Sequence, residues 1–310
     1  MSFFEIKSPN KSYYVDVSKI HSLYVEEYGN ESGIPVLFLH GGPGAGCSSE
    51  YQKFFNPKKY RLVLFDQRGC GKSTPYGEVR ENTSDELVND IDKILDFIGI
   101  DKTIIYGGSW GSTLALLYSQ HNPDRVKSLV LRGVFLCRKK DIEWFYQYGA
   151  SEIYPHYWKD YINVIDPNKR HDLLKSYHEL IFSDDEDISR DACRAWSNWE
   201  GKSSCLELSK HVIQAFDDCS ISLARIESHF FINDCFIDEN QILEKIDLIQ
   251  DIPCFIVHGQ YDVVCPIRQA YDLNMVYHKS KLFIAQKSGH SLLEPEISNE
   301  ILNIFNNEEL

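Results

Sequence analysis

A serine flanked by glycines is the clearest candidate for a reactive side chain. Residues 107–111 read G-G-S-W-G, a match to the pattern G-x-S-x-G with Ser109 at its centre. Such a serine occupies a tight turn, and the positions two before and two after it must lack side chains. A serine hydroxyl is a poor nucleophile near neutral pH and needs a neighbouring base. The motif therefore predicts a nucleophile, Ser109, and requires a histidine and an acid elsewhere.

Two later loops supply these partners. Asp262 follows a short apolar run at residues 254–257, and His290 follows another at residues 282–285. If both runs are strands of one parallel sheet, their carboxyl ends bring the two side chains to the same edge. The chain order serine, acid, histidine is that of the α/β-hydrolase triad. We therefore predict a catalytic triad of Ser109, Asp262 and His290.

The oxyanion that forms during attack on a carbonyl needs fixed N–H donors. The apolar run at residues 36–39 leads directly into H-G-G-P-G at residues 40–44. Such a loop can bring a backbone N–H close to a substrate, although a plain tight turn is the alternative. We predict donors at Gly42 and at Trp110, the residue after the nucleophile. His40 is expected to be structural.

The elements that must position these residues alternate between strand and helix. A hairpin is predicted at residues 12–17 and 22–28, because both runs are rich in β-branched and aromatic residues. Short, almost wholly apolar runs predict strands buried on both faces, at residues 36–39, 62–65, 103–106, 128–131, 254–257 and 282–285. Helices are predicted at Ser84–Phe97, with Ser84 as its cap, and at Trp110–His121. This pattern predicts an α/β fold with a mostly parallel sheet flanked by helices.

The alternation stops in the middle of the chain. Residues 136–239 contain many aromatic and charged residues, few glycines and no strand–helix repeat. We predict a mostly helical cap there, with the acidic residues 184–187 as a solvated loop inside it. The catalytic domain is then formed by residues 1–135 and 240–310.

Composition excludes several classes of protein. The chain has 310 residues, of which 43% are hydrophobic and 25% charged, with a net charge of -14. That charge repels phosphate backbones, so nucleic acid is not expected as a partner. No apolar run approaches the roughly 18–20 residues that span a bilayer, and the start lacks a signal-peptide pattern. We therefore expect a cytoplasmic protein that does not bind membranes.

The cysteines also indicate a cytoplasmic protein. There are nine, they are dispersed, and none forms a C-x-x-C pair. Neither a disulfide framework nor a zinc site fits this spacing, so we expect free thiols in a reducing compartment and neither metal nor cofactor.

Eight motifs together make the chain similar to one family, and they occur in order along almost its whole length. The motifs are H-G-G-P-G at 40–44, F-D-Q-R-G-C-G-K-S at 65–73, G-G-S-W-G-S at 107–112, L-R-G-V-F at 131–135, W-S-N-W-E-G at 196–201, R-I-E-S-H-F-F at 225–231, H-G-Q-Y-D at 258–262 and S-G-H at 288–290. They resemble the proline iminopeptidases, also called prolyl aminopeptidases, which are serine peptidases with the α/β-hydrolase fold. The central motifs specify only the superfamily, and the two cap motifs with the D-Q-R-G segment make the narrower match specific.

The resemblance implies release of an amino-terminal proline from short peptides through an acyl-enzyme on the serine. It also implies that Glu200 and Glu227 hold the substrate amine, and that Phe135, with Phe145 as a second wall, packs against the proline ring. A carboxylate pair suits a cationic amine, and aromatic walls suit a small flat ring. From composition alone, the glutamates would be surface salt-bridge partners and the phenylalanines ordinary core residues.

Several alternatives stay open at this point. An esterase, an amidase or a carbon–carbon hydrolase could use the same triad without requiring a free amine on its substrate. A catalytically inactive receptor could share the fold, although the intact triad and glycine loop argue against it. Epoxide hydrolases and dehalogenases would carry a carboxylate where Ser109 stands. Cys265, close to Asp262 in sequence, could make the enzyme sensitive to thiol reagents or could be buried and inert.

Overall fold

The protein is built around one eight-stranded sheet. The structure is a computed structural model, which describes residues 2–310. The order of the strands across the sheet is β1-β2-β4-β3-β5-β6-β7-β8. In chain order they are β1 (Lys11–Asp16), β2 (Ser22–Gly29), β3 (Ile34–Leu39), β4 (Tyr60–Phe65), β5 (Thr103–Gly108), β6 (Val126–Arg132), β7 (Cys254–Gly259) and β8 (Ser280–Ala285).

The pairing directions confirm the predicted hairpin and the mostly parallel sheet. Strand β1 pairs antiparallel with β2, and β2 pairs antiparallel with β4. Every pairing from β4 to β8 is parallel. All residues of β5 and β7 are buried, as expected for central strands with helices on both faces.

Twelve α-helices accompany the sheet among the described residues. They are α1 (Ser84–Phe97), α2 (Trp110–His121), α3 (Lys139–Tyr146), α4 (Ala150–Ile153), α5 (Pro155–Ile162), α6 (Leu173–Ile181), α7 (Glu186–Ser203), α8 (Lys210–Asp218), α9 (Ser220–Ile232), α10 (Gln241–Glu244), α11 (Arg268–Val276) and α12 (Pro295–Asn307). Short 3₁₀ turns lie at Ser49–Phe54, Pro123–Arg125, Pro167–Lys169, Asp234–Phe236 and Ile246–Ile249.

Alternate residues of each central strand pack on opposite faces of the sheet. Leu37 and Leu39 of β3 belong to the core that includes α1 and α2, whereas Phe38 belongs to the core that includes α12. This division follows from the two-residue period of a strand. Helices therefore pack on both faces of the sheet, and the loops that follow the parallel strands lie at its carboxyl edge.

Helix α1 has the predicted bounds, but its predicted cap is wrong. The N-cap residue is Thr83, whose hydroxyl accepts a hydrogen bond from the Glu86 amide at 3.4 Å. Ser84 is the first helical residue, and its hydroxyl donates instead to the carbonyl of Cys235 at 2.5 Å. Thr83 and Ser84 both carry a hydroxyl group that could cap the helix. Thr83 is the cap, whereas the Ser84 hydroxyl bonds the carbonyl of Cys235.

The acidic run at residues 184–187 is solvent-exposed as expected, but it is not a loop throughout. Asp185 caps α7 by accepting hydrogen bonds from the amides of Asp187 and Ile188 at 3.0 and 3.2 Å. Glu186 and Asp187 form the first turn of the helix. Acidic residues at a helix start are stabilised by the helix dipole, which explains this placement.

Helices α3 to α10 all lie between β6 and β7 in the chain. Helix α7 is central, because α5, α6, α8 and α9 pack against it. Stacked aromatic rings fill the space between these helices, such as Tyr146 on Trp196 with ring centres 4.2 Å apart and Tyr161 on Tyr177 at 4.4 Å. Both cap motifs of the sequence lie here, Glu200 on α7 and Glu227 on α9.

Candidate active site

Ser109 occupies a strained turn between β5 and α2. Its backbone angles are φ 56° and ψ -126°, a conformation that non-glycine residues rarely adopt and that costs on the order of 1–3 kcal/mol. The Ser109 amide donates to the carbonyl of Arg132 at 2.9 Å, and the Ser109 carbonyl accepts from the Ser112 amide at 2.8 Å. The strand on one side and the helix on the other thus hold the turn in place.

The glycines of the motif are required by lack of space. A Cβ atom at Gly111 would collide with the carbonyl oxygen of Leu39, and one at Gly107 with that of Gly111. Neither glycine has a positive φ, so close approach of the backbone, and not conformational freedom, explains both.

The structure brings Asp262 and His290 together at the carboxyl edge of the sheet. Asp262 follows β7, His290 follows β8, and His290 Nδ1 lies 2.7 Å from Asp262 Oδ2. The other oxygen, Oδ1, accepts from the Cys265 amide at 2.8 Å. Burial raises the pKa of Asp262, but the neighbouring imidazole of His290 and its hydrogen bond outweigh burial, so the pKa lies below its ordinary value. Asp262 is therefore ionised at neutral pH and orients the histidine.

His258 is a second histidine beside the acid, which sequence reasoning did not single out. Its Nε2 donates to the carbonyl of Cys265 at 2.7 Å, and its Nδ1 accepts from the Val134 amide at 3.2 Å. Both nitrogens are thus occupied in the neutral form, and burial lowers the pKa of His258. Its position at the end of β7, in the H-G-Q-Y-D motif, was the available signal. Its role is to fix the loop that carries Asp262.

The glycine loop lies directly against the serine turn. A Cβ atom at Gly41 would stand 3.3 Å from the Cβ of Ser109, and Gly42 has a φ of 106°. Trp110 is the first residue of α2, where backbone N–H groups have no partner within the helix. The predicted donors therefore lie on the glycine loop and at the start of α2, which both adjoin Ser109.

His40 plays the structural part expected of it. Its Nε2 accepts from the Gln67 amide at 3.0 Å, and its carbonyl accepts from Gln67 Nε2 at 3.0 Å. Burial lowers the pKa of His40 to about 4, so the ring stays neutral. The contacts tie the glycine loop to the D-Q-R-G segment.

A cavity of about 1050 Å³ opens at these residues, and its walls include Gly42, Ser109, Glu200 and His290. The sheet edge supplies the serine and histidine, and helix α7 supplies the glutamate. A ligand in this cavity can therefore contact Ser109, His290 and a carboxyl group from the cap helices at once.

Glu200 and Glu227 are buried, so the surface salt-bridge alternative is wrong. They are 6% and 1% exposed. Glu227 Oε2 accepts from Trp196 Nε1 at 2.6 Å and from the Tyr146 hydroxyl at 3.4 Å. Glu200 and Glu227 are neighbours, since each shifts the pKa of the other, and Glu200 Oε2 accepts no hydrogen bond from residues 2–310.

The electrostatics of this carboxyl pair are unusual. Burial raises the pKa of both groups, and the charge of Glu200 raises that of Glu227 further. Among residues 2–310, no arginine or lysine is a main cause of the shift in either pKa. Two buried carboxyl groups without a cation form a site that a cationic ligand would stabilise.

The predicted aromatic walls are both buried. Phe135 packs edge-on against Phe231, with ring centres 5.9 Å apart. Phe145 stacks on Trp199 at 5.2 Å, and its carbonyl accepts from Trp199 Nε1 at 3.1 Å. The adjacent Tyr146, which sequence reasoning missed, is the residue whose hydroxyl reaches Glu227. The order of aromatic residues along α3 carried no signal to separate the two.

Of the two alternatives for Cys265, the structure supports the buried one. Its side chain is 2% exposed, and burial, together with the charge of Asp262, raises the pKa of its thiol well above the ordinary value. Its contribution to the site comes from its backbone, which bonds both Asp262 and His258.

Neither a membrane span nor a metal cluster is found in residues 2–310. No helix there combines the length and apolarity needed to cross a membrane. No group of three or more histidine, cysteine, aspartate or glutamate side chains within the same range is arranged to hold a metal ion.

Solved structures share the fold at low sequence identity. An esterase from Exiguobacterium antarcticum superimposes with a TM-score of 0.66 at 21% identity, covering 95% of this chain and 98% of that one. A bromoperoxidase from Bacillus anthracis gives 0.69 at 18% identity, covering 95% and 99%. A family model described as alpha/beta hydrolase fold matches residues 34–296. The predicted fold class is thereby confirmed.

Curated relatives are much more similar in sequence. A proline iminopeptidase of Xylella fastidiosa is 48% identical over 279 residues, which cover 89% of each chain. One of Neisseria gonorrhoeae is 42% identical over 96% of each chain, and one of Arabidopsis thaliana is 46% identical over 95% of this chain and 78% of the plant protein. With its fold, the serine in the turn between β5 and α2, and its similarity over nearly the whole length, the chain belongs to the proline iminopeptidase family of α/β hydrolases.

Proposed function

We propose that this protein is a serine aminopeptidase that releases the amino-terminal proline of short peptides through an acyl-enzyme on Ser109. Its relatives carry the name proline iminopeptidase at 42–48% identity over most of the chain. The observation that carries the proposal is the buried pair Glu200 and Glu227, because Glu200 shares one cavity with Ser109 and His290.

In the proposed reaction, Ser109, His290 and Asp262 act as a triad. His290 Nε2 takes the proton of Ser109 as its Oγ attacks the carbonyl of the first residue, and Asp262 stabilises the imidazolium through Nδ1 at 2.7 Å. The amides of Gly42 and Trp110 stabilise the oxyanion. His290 then protonates the departing amine, and water activated by the same histidine hydrolyses the acyl-enzyme to free proline.

Recognition of the substrate rests on its charge. A proline at a free amino terminus carries a protonated secondary amine with two N–H donors, whereas a proline inside a chain has neither donor nor charge. Two adjacent carboxylates can accept one donor each. The unpaired Oε2 of Glu200 is a suitable acceptor, since it is buried and accepts no hydrogen bond from residues 2–310. The charge of the amine also offsets the repulsion between the carboxylates.

We propose that the proline ring packs against two phenylalanine side chains. Phe135 follows β6, and its amide is fixed by the hydroxyl of Ser112 at 3.0 Å. We propose Phe135 as the first wall of the slot and Phe145, on α3, as the second. A small, flat ring gains contact with such walls that a branched or charged side chain would not.

We further propose that residues 136–239 act as a cap over a catalytic domain of residues 1–135 and 240–310. The cap supplies the amine site, and the catalytic domain supplies the triad. A cytoplasmic location fits the nine cysteines, all of which are free, and the net charge of -14 disfavours nucleic acid as a partner.

The test is a peptide of proline, glycine, proline and alanine in that order. The proposal predicts loss of one proline mass, after which cleavage stops because glycine is then the first residue. The tripeptide of glycine, proline and alanine serves as the control and is expected to stay intact. Hydrolysis of simple esters without cleavage of the tetrapeptide would replace the proposal with the esterase alternative.

A further inference from the structure

Glu294 joins two loops that belong to different parts of the site. Its Oε1 accepts from the Leu206 amide, just beyond α7, at 2.7 Å. Its Oε2 accepts from the Gly289 amide, which immediately precedes His290. The side chain is 9% exposed. One carboxyl group thus bridges the loop after the helix of Glu200 and the loop of the catalytic histidine.

A second set of bonds runs parallel to this bridge. The amides of His290 and Ser291 both donate to the carbonyl of Ser204 at 2.9 Å. The hydroxyl of Ser204 donates to the carbonyl of Glu200 at 2.8 Å. The backbone of Glu200 is therefore connected to that of His290 through one residue, and Glu294 closes the same junction from the other side.

We propose that Glu294 is a positioning residue that sets the distance between the carboxyl pair and the triad. This inference rests on the proposed function, because it concerns the amine site and the nucleophile of that reaction. Glu294 does not touch the substrate. It acts through Gly289 and Leu206, and a substrate held at its amine presents its carbonyl to Ser109 only if both loops keep their spacing.

The chemistry of the group suits this task. An ionised carboxylate accepts at both oxygens, and the two donors here are the backbone N–H groups of Leu206 and Gly289. A glutamine of the same length has one acceptor oxygen and one amide nitrogen. In Glu294→Gln, one of the two N–H groups therefore faces another donor, and the bridge opens on that side.

The experiment compares two reactions of the Glu294→Gln enzyme. A small fluorophosphonate needs only Ser109, His290 and the oxyanion donors, whereas a proline anilide also needs the carboxyl pair at the correct distance. We expect kcat/KM for the anilide to fall by about 10- to 150-fold, the range of one charge-assisted hydrogen bond. The rate of labelling should fall at least tenfold less. Active-site titration with the fluorophosphonate corrects both numbers for misfolded protein.

Glu296→Gln is the matched control. Glu296 stands two residues further on and also accepts a backbone hydrogen bond, from Lys287 at 2.9 Å, but does not contact the cap helices through it. This variant should keep both rates. If Glu294→Gln does not fold, Glu294→Asp permits the same comparison, since its charge is kept but its reach is shorter.

The outcomes separate this inference from the proposed function. Equal losses in both reactions, or no loss per titrated site, would overturn the positioning role of Glu294. A wild-type enzyme that cleaves anilides without a free amine would instead overturn the amine site itself, whatever the variant does.

Discussion

At the scale of single residues, we assign the chemistry to Ser109 and expect its side chain to contribute little to stability. Its side chain is 8% exposed, and its hydroxyl lies at a cavity rather than inside the core. Ser109→Ala should reduce kcat by several orders of magnitude, because the members of a triad act as a unit. The unfolding midpoint should stay within a few degrees of wild type. Kinetics with a proline anilide and thermal unfolding measure both, and retention of more than about a tenth of the activity would refute the nucleophile.

The buried carboxyl pair should lower the stability of the folded protein as the pH rises. Burial and Glu200 raise the pKa of Glu227 in the folded protein, so the folded state binds a proton more tightly than the unfolded chain. The resulting stability is present at pH values below the ordinary glutamate pKa and is lost as the pH rises through the raised one. Glu227→Gln removes this loss. At pH 8 its free energy of unfolding should therefore lie above that of wild type.

Urea unfolding at pH 5 and pH 8 tests this directly. The advantage of Glu227→Gln over wild type should shrink at the lower pH, since the raised pKa of Glu227 destabilises the folded state only as the pH rises. The exposed Glu207 on the loop after α7 gives the control Glu207→Gln, which should track wild type at both values. An identical difference between Glu227→Gln and wild type at the two pH values would show that the pair does not titrate as described.

Residue types and motifs predicted the candidate reactive groups, but they did not predict the residues that support them. Ser109, Asp262 and His290 each follow a strand and could be placed by chain order alone. Tyr146 could not be distinguished from Phe145, because both are aromatic neighbours on one helix and only packing decides which hydroxyl reaches Glu227. Thr83 and Ser84 raised the same difficulty at the start of α1.

At the scale of elements, the strand–turn–helix unit around Ser109 depends on close backbone contact. Gly111→Ala should be severely destabilising, because its Cβ would collide with the carbonyl of Leu39 on β3. Gly99→Ala is the matched control. Gly99 has a φ of 68°, and no atom lies within 4 Å of the place where a Cβ would stand, so only the conformational penalty of about 1–2 kcal/mol applies. Denaturant unfolding should rank Gly111→Ala well below Gly99→Ala, and the reverse order would contradict the contact.

The elements themselves were largely readable from the sequence. Short apolar runs marked the buried parallel strands, and α2 was found with its observed bounds, because its apolar residues and the following Pro123 define both ends. Strand β8 extends before the predicted run to Ser280. It lies at the edge of the sheet, where polar residues are tolerated and the apolar signal is weaker.

At the scale of the whole molecule, the cysteines report how the chain is packed. Six of the nine are buried, and Cys47, Cys205 and Cys219 are partly exposed. A bulky disulfide reagent should therefore label at most three thiols of the native protein rapidly and all nine after denaturation. Cys265→Ala should give the same native count as wild type, because Cys265 is among the buried six. A lower count in that variant would show that its thiol is accessible.

The sequence does not predict hydrogen bonds between residues that are far apart in the chain. Glu294 and Leu206 are far apart in the chain and lie in segments without a shared motif, yet they form one hydrogen bond beside His290. Periodicity and motif spacing describe neighbours along the chain. The connection between Glu200 and His290 depends on how the helices between β6 and β7 return to the sheet, which only the folded structure reveals.

The central claim is that the protein acts on a free amino-terminal proline. Its most direct test is kcat/KM of the wild-type enzyme for a proline anilide and for the same anilide acetylated on the proline nitrogen. Acetylation removes the charge and both donors that Glu200 and Glu227 would bind, and each charge-assisted hydrogen bond is worth about 1.5–3 kcal/mol. We expect the acetylated substrate to be at least about 100-fold poorer. Similar values for the two substrates would contradict it.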